Sequence, residues 1–384
     1  MMYNKESLIS KNVRNIEISG IRKFYNKVIN YDNVISLTLG QPDFKVPKAI
    51  KRALIESINE DKTTYTSNSG IVELREEISR YLKTMHIKYS KEEICITVGG
   101  SEGLMSVFST LLNKEDKVLV PEIAYPAYDS CIKLCGAKSI EYKLSEDFSI
   151  DLNYLSNLIK KEKPKAMVLS YPSNPTGAVL SREQRDRLHE IIKGNNIIVI
   201  SDEIYSSLCF EDKYYSLAQF EDIKEKIILV SGFSKMFSMT GLRIGYVCAT
   251  KYFMDSIIKV HQYSVSCATS ICQWGAYAGL KYCMEDVKYM KNEFKKRRNY
   301  VYNRLETLGF KSYKPQGAFY IFTSIKDNYS SSENFCEKLL KEARVAVVPG
   351  SAFGKGGEGY MRISYAYSIE ELEEALNRIE KFIH

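Results

Sequence analysis

Histidine is scarce in this chain, with only His86, His189, His261 and His384 among its residues, which argues against a histidine-based metal cluster. No C-x-x-C pair occurs among the nine cysteines, Cys95, Cys131, Cys135, Cys209, Cys248, Cys267, Cys272, Cys283 and Cys336. Their odd number, and their placement in apolar runs such as 94–98, point to small core residues in a reducing compartment. A disulfide framework and a metal site are both disfavoured. No apolar run reaches membrane-spanning length, and residues 1–15 are polar, without the apolar core of a signal segment. A cytoplasmic protein is the expectation. There is no internal repeat and no low-complexity segment. The net charge of +7 comes from lysines scattered among acids, not from a clustered basic stripe, so no nucleic-acid partner is expected.

What is present is an ordinary globular composition, 45% hydrophobic and 26% charged, over 384 residues. That length predicts a large domain with a smaller companion. Short β-rich runs at 94–98, 117–120, 166–170, 197–201, 227–231 and 243–247 alternate with helical patterns at 103–112, 151–161 and 182–193. The alternation predicts an α/β domain whose mostly parallel sheet carries helices on both faces. In such a sheet the ligand site lies beyond the carboxyl ends of the strands. After about Lys251 the pattern becomes α+β. A long helical stretch from Trp274 toward Leu308 is followed by strands at 318–322, 346–348 and 360–364 and a closing helix at 369–382. The expected division is a large domain at 46–284 and a small one formed by 1–45 with 285–384.

Two residues at strand ends stand out. Asp202 follows an apolar strand and Lys235 lies just past the next one. Taken alone, an acid there reads as a helix N-cap, and a loop lysine reads as a solvated charge. The surroundings of Lys235 change that weighing. The run from Ser231 to Tyr246, S-G-F-S-K-M-F-S-M-T-G-L-R-I-G-Y, sets small residues and hydroxyls around one lysine and one arginine. Such a loop can hold a phosphate and leave an amine free to react. Arg243 offers a fork of donors to a dianion. Desolvation and a nearby cation would lower the lysine's pKa and favour imine chemistry.

The pattern S-K-x-F-x-M-T-G-x-R-x-G resembles the lysine signature of the class I/II aminotransferases, which depend on pyridoxal 5'-phosphate (PLP) and have PLP fold type I. Further segments resembling the family follow its order. They are Tyr65-x4-Gly70-x3-Leu74-Arg75, Gly99-Gly100-Ser101-Glu102, Pro121-x3-Tyr125-Pro126-x-Tyr128, Asn174-Pro175-Thr176-Gly177, Asp202-Glu203-x-Tyr205, Gly317-Ala318-Phe319-Tyr320 and Arg362-Ile363-Ser364. The resemblance runs from about Gly20 to the C-terminus.

The resemblance implies a seven-stranded-type sheet with a smaller α+β domain, and a role for each position. Lys235 would hold PLP as a Schiff base and serve as general base and acid. Asp202 would face the pyridine nitrogen, Tyr205 and Asn174 the 3-oxygen, and Tyr125 the ring face. Gly100, Ser101 and Glu102, just before a helix, would offer backbone N–H groups to the phosphate, with Ser234 and Arg243 completing the cup. Arg362, the Gly40 backbone and Asn174 would receive the substrate. Tyr65 would reach the phosphate from a partner subunit, making a homodimer the active unit. No metal is implied.

The implied reaction moves an amino group from an L-amino acid to a 2-oxo acid, 2-oxoglutarate by expectation, with ping-pong kinetics. The runs Ile18–Phe24, Tyr171–Asn174 and 261–268 look most like the aminotransferase A branch, which acts on N-acetyl-LL-diaminopimelate in lysine synthesis. Aromatic, aspartate or broad specificity remains an alternative, as does a PLP carbon–sulfur β-lyase. Two devices of aspartate-specific members are missing, since Ser101 stands where a lysine would follow the Gly-Gly pair and no arginine lies near 264–270. Gly232 stands where some members have a phosphate-binding serine. Arg22 or Lys23 could meet a distal carboxylate, and a solvated loop is the blander reading of both.

Overall fold

The computed structural model of the protein describes residues 8–326 and 329–384. Its centre is a seven-stranded sheet of β2 (Ile94–Thr97), β3 (Lys117–Pro121), β4 (Lys138–Tyr142), β5 (Ala166–Ser170), β6 (Ile198–Asp202), β7 (Ile227–Gly232) and β8 (Gly245–Cys248), after a short β1 (Ile35–Ser36) that lies elsewhere. The strand order is β2-β8-β7-β6-β5-β3-β4. Only β8 runs against its neighbours, so the other six strands share one direction. The α/β sheet expected from the alternating pattern, with the strand number of fold type I, is present.

Period-two geometry explains why these strands read as nearly unbroken apolar runs. Successive side chains point to opposite faces, and both faces are covered. Ile94, Ile96, Leu119, Met167, Leu169, Val199 and Leu229 enter one core. Cys95, Val118, Val120, Val168, Ile200 and Val230 enter the other. Each buried aliphatic side chain contributes about 1.5–3 kcal/mol relative to exposure. The helix Gly99–Leu111 packs with Lys251–Val265 on one side, and Ser270–Tyr282 packs with Lys48–Asn59 and Val72–Thr84 on the other.

Several local expectations need correction. Strand β4 had no place among the expected strands because its sequence, K-S-I-E-Y, is half polar and it forms a partly exposed edge. The helix expected at 103–112 begins at Gly99, so the glycine pair lies in its first turn and not before it. The strand expected at 243–247 begins at Gly245, because Arg243 has a left-handed backbone with φ 51° and ψ 58°. The long helical stretch divides into Ser270–Tyr282 and Met284–Thr307. Between them Cys283 leaves helical geometry, with φ −117° and ψ 21°, and Glu285 and Asp286 favour a new N-terminus.

The remaining strands form two small sheets. β1 pairs in parallel with β10 (Val345–Ala346), and β9 (Tyr320–Ser324) joins β12 (Tyr360–Ser364) and β11 (Val348–Pro349) in an antiparallel sheet of order β11-β12-β9. The run expected as one strand at 346–348 is therefore split between two sheets. The Ser364 N–H donates to Leu37 O at 3.0 Å, a second tie between the N-terminal segment and the C-terminal strands. The closing helix is Ile369–Ile383, capped by a reciprocal Ser368–Glu371 box. All nine cysteines are free thiols, and six of them are buried. Among the described residues no His/Cys/Asp/Glu cluster suits a metal, and no helix is long and apolar enough to cross a membrane.

Candidate active site

Eleven of the sequence-predicted residues line one cavity of about 330 Å³: Gly40, Gly100, Ser101, Tyr125, Asn174, Asp202, Tyr205, Ser234, Lys235, Arg243 and Arg362. The topology explains the convergence. Chain order runs β3, then outward to β4, then back to β5 on the other side of β3, so a crevice opens at the β3–β5 switch point. Tyr125 follows β3, Asn174 follows β5, Asp202 ends β6, and Ser234 and Lys235 follow β7.

Lys235 sits at the centre. Its amine is deeply buried, and this burial, with the positive charges of Arg243 and Arg362, pushes its pKa down to about 8. In this structure the amine donates a hydrogen bond to the Gly40 carbonyl. Opposite lies Asp202, 6% exposed. Burial pushes its carboxyl above the usual range, and hydrogen bonds from the Tyr128 hydroxyl and the Ile204 N–H oppose that shift. Tyr128 O–H donates to Asp202 Oδ2 at 2.7 Å and lies 2.9 Å from Ser170 Oγ.

The phosphate-sized end is built from glycine and backbone. The first N–H groups of the helix Gly99–Leu111 have no intrahelical acceptor and suit an anion. At Gly99 φ is +71°, and a Cβ there would lie 2.5 Å from Arg243 Nη2, so only glycine lets the guanidinium approach. Gly245 is as tight, since its Cβ would meet Gly100 N at 2.8 Å. The same crowding explains Gly232, where a Cβ would lie 2.8 Å from Gly245 Cα, leaving no room for serine.

At the other end Arg362 is 1% exposed. Its Nη1 donates to Asn174 Oδ1 at 2.8 Å and its Nη2 to Thr38 O at 2.5 Å. Its Nε is buried with no hydrogen-bond partner among the described residues. The Tyr205 and Tyr320 hydroxyls are hydrogen-bonded at 2.7 Å, and burial, then the Tyr320 neighbour, push the Tyr205 phenol well above its usual pKa. The Arg362 guanidinium lies 4.3 Å from the centre of the Tyr320 ring. Tyr320 also confines the Gly40 turn, since a Cβ on Gly40 would meet its hydroxyl at 2.2 Å.

Two expected residues are not brought to the cavity. Glu102 does not line it. Its carboxylate turns back to the helix start, accepting from Val98 N at 3.0 Å and Ser106 Oγ at 2.6 Å, with His261 Nδ1 at 3.1 Å. Burial opposes ionisation there, but these hydrogen bonds and the His261 charge win and hold its pKa low. Glu102 thus caps the helix that carries Gly100 and Ser101. Tyr65 is 86% exposed, beside Thr66, Asn68, Ser266 and Cys267, outside its own chain's cavity.

Sequence reasoning assigned no role to Tyr128 or Tyr320, although both stand in quoted motifs. The signal for Tyr128 is its place three residues after Tyr125 at the start of the helix Ala127–Leu134, which stacks the two rings edge to face with centres 5.8 Å apart. Ile21 and Arg22 also line the cavity, from the helix Gly20–Val28.

Known proteins place this arrangement. A probable N-acetyl-LL-diaminopimelate aminotransferase of Bacillus subtilis is 44% identical over 381 residues, covering 98% of this chain and 96% of the relative. A probable aspartate aminotransferase of Methanocaldococcus jannaschii is 40% identical, covering 97% and 99%. The crystal structure of an aromatic aminotransferase from Pyrococcus horikoshii superposes with a TM-score of 0.88 at 38% identity, covering 93% of this chain and 98% of that one. Aminotransferase class I and II, as a family model, matches residues 32–379. With lysine, aspartate and arginines gathered around one cavity and such similarity over nearly its whole length, the chain belongs to the class I and II aminotransferases.

Proposed function

We propose that the cavity binds PLP through Lys235 and that the protein moves an amino group from an L-amino acid to a 2-oxo acid in two half-reactions that share this site. The observation that carries the reading is the amine of Lys235, buried, with a pKa of about 8, between two arginines. An amine so poised is in part unprotonated at neutral pH, able both to attack an aldehyde carbon and to carry a proton. The glycine-lined approach of Arg243 to the helix start and the partnerless Nε of Arg362 suit a phosphate at one end and a carboxylate at the other.

When bound, the pyridine ring supplies an electron sink for the pair left by the substrate Cα–H bond. Asp202 holds a proton at the ring nitrogen, and Tyr128 fixes the carboxylate that does so. Gly100, Ser101, Ser234 and Arg243 bind the phosphate. Tyr125 covers the ring face, and Tyr205 and Asn174 donate to the 3-oxygen. Arg362 takes the α-carboxylate in a forked contact beside the Gly40 carbonyl. Lys235 Nζ, freed from the cofactor, would be the group that takes the substrate α-proton and holds it for return.

Tyr65, exposed on one chain, reaches the phosphate of a second copy in this reading, which makes the working unit a homodimer. The pairing of β1 with β10 supports residues 1–45 and 285–384 as a small domain against a large one at 46–284. The donor is N-acetyl-LL-diaminopimelate, a reading supported by the 44% identity to the Bacillus subtilis relative of that name.

The test is a panel of donors with 2-oxoglutarate: N-acetyl-LL-diaminopimelate, aspartate and phenylalanine. Glutamate should form with the first at the highest rate, and glutamate from none of them overturns the reading. Lys235→Ala protein mixed with PLP should lack the borohydride-reducible visible absorbance of the wild type. Its persistence would assign the cofactor to another lysine.

A further inference from the structure

We infer that His261 is a positioning residue for the phosphate end of the cavity: it holds the Glu102 carboxylate on the helix cap and offsets its charge, which leaves the first N–H groups of the helix Gly99–Leu111 to the phosphate. This rests on the cofactor reading proposed above and adds a residue that touches neither cofactor nor substrate.

The helix start has two claimants of the same sign. A helix N-terminus carries a partial positive charge that stabilises an anion within the first turn. Glu102 lies in that turn. Its carboxylate accepts from the N–H of Val98, the residue just outside the helix, at 3.0 Å. The N–H groups of Gly99, Gly100 and Ser101 come next and have no intrahelical acceptor. A phosphate seated on them faces a full negative charge within the same turn, and like charges at such range repel. A carboxylate free to swing would also take those N–H groups for itself.

His261 answers both problems. Its Nδ1 lies 3.1 Å from each carboxylate oxygen of Glu102. Among the described residues no lysine or arginine comes within ion-pair distance of that carboxylate, so the imidazole is the basic group paired with it. The Ser106 hydroxyl, donating to Oε1 at 2.6 Å, holds the carboxylate from its own helix.

His261 stands in what is otherwise a core position. Met254, Ile257 and His261 form the buried stripe of the helix Lys251–Val265, which packs on the helix Gly99–Leu111. An aliphatic side chain would fill this stripe with no polar atom to satisfy. His261 instead is fully buried, and its Nε2 has no hydrogen-bond partner among the described residues. Burying an unpartnered ring nitrogen is unfavourable. The contact with Glu102 offsets this, so the histidine serves the carboxylate and, through it, the helix start.

The test measures the Kd for PLP and for pyridoxal, which lacks the phosphate, by absorbance titration of the cofactor-free protein. His261→Leu removes the donor and the charge. It should raise the Kd for PLP about tenfold and that for pyridoxal by less than about twofold. His261→Gln keeps a donor and should lose less. Glu102→Gln in the His261→Leu background should restore PLP binding to within about twofold of wild type, because no carboxylate is left to compete. Glu102→Gln alone should lower the Kd for PLP about threefold, and since it spares the core it decides the case even where His261→Leu does not fold. Equal losses for PLP and pyridoxal, no rescue in the double variant, or a Kd in Glu102→Gln that equals or exceeds the wild type's assigns the pair to folding alone and overturns the inference, leaving Lys235 as the cofactor lysine. Wild-type protein that forms no borohydride-reducible complex with PLP overturns the cofactor reading and this inference with it.

Discussion

The carboxyl edge of the seven-stranded sheet and the small β11-β12-β9 sheet meet at one cavity but contribute to it differently. At the sheet edge each candidate group lies at the end of its own strand or a few residues beyond it, as Asp202 ends β6 and Lys235 follows β7. Their positions are set by strand registry, and registry is set by apolar side chains committed to two cores. Arg362 lies within β12 instead, and its fixed partners are 188 and 324 residues away in sequence, Asn174 and Thr38. The lesson is a division of labour. The groups proposed to react are held by local, repetitive structure, and Arg362, the group proposed to grip substrate, is held by long-range contacts that exist only after the small sheet docks.

The comparison is tested most severely at the sheet edge. Asp202→Asn removes the charge proposed to hold a proton at the ring nitrogen and keeps the shape. The expected result is a fall in kcat of about 10³-fold with little change in fold, read from single-turnover rates and circular dichroism. A fall of less than about tenfold would deny the sheet edge its electronic role.

Arg362→Lys probes the other region. Lysine keeps the charge but not the fork, and it leaves Asn174 Oδ1 or Thr38 O without a partner. A loss of about 100-fold in kcat/KM is expected, mostly in KM, with the visible absorbance of the bound cofactor retained. A loss confined to kcat would move Arg362 to the chemical side of the division.

The smallest effect concerns stability. Without cofactor, the amine of Lys235 has a pKa of about 8 in the folded chain, below its ordinary value of 10.5. The unfolded chain therefore binds more protons between those values, and stability rises with pH through that window. The contribution is present above 10.5 and lost as pH falls through 8. Lys235→Met should flatten the rise, by about 1–3 kcal/mol between the ends of the window, in urea titrations of the cofactor-free protein. An unchanged slope would mean that the amine is solvated when the site is empty.

Much of the site was legible because its groups lie in short segments whose order survives in the chain. The strands were legible because burial on both faces leaves nearly continuous apolar runs. What was missed follows from the same physics. Strand β4 is an edge with a polar face, so it has no such run. The expectation for Glu102 concerns its backbone N–H; the role of its carboxylate, which caps its own helix and pairs with His261, 159 residues away, has no local signal. Tyr128 and Tyr320 stood in view without roles, since only their hydroxyl partners, Asp202 and Tyr205, give them one.

By itself the sequence determined the α/β alternation and the strand-end placement of Asp202 and Lys235. These depend on periodicity and on local backbone sterics. The tertiary structure alone decided that Arg22, not Lys23, lines the cavity, that Arg362 is buried with its Nε unpartnered among the described residues, and that Lys235 is desolvated and feels the charges of Arg243 and Arg362. Burial and charge proximity are sums over residues distant in the chain, and no local pattern contains them.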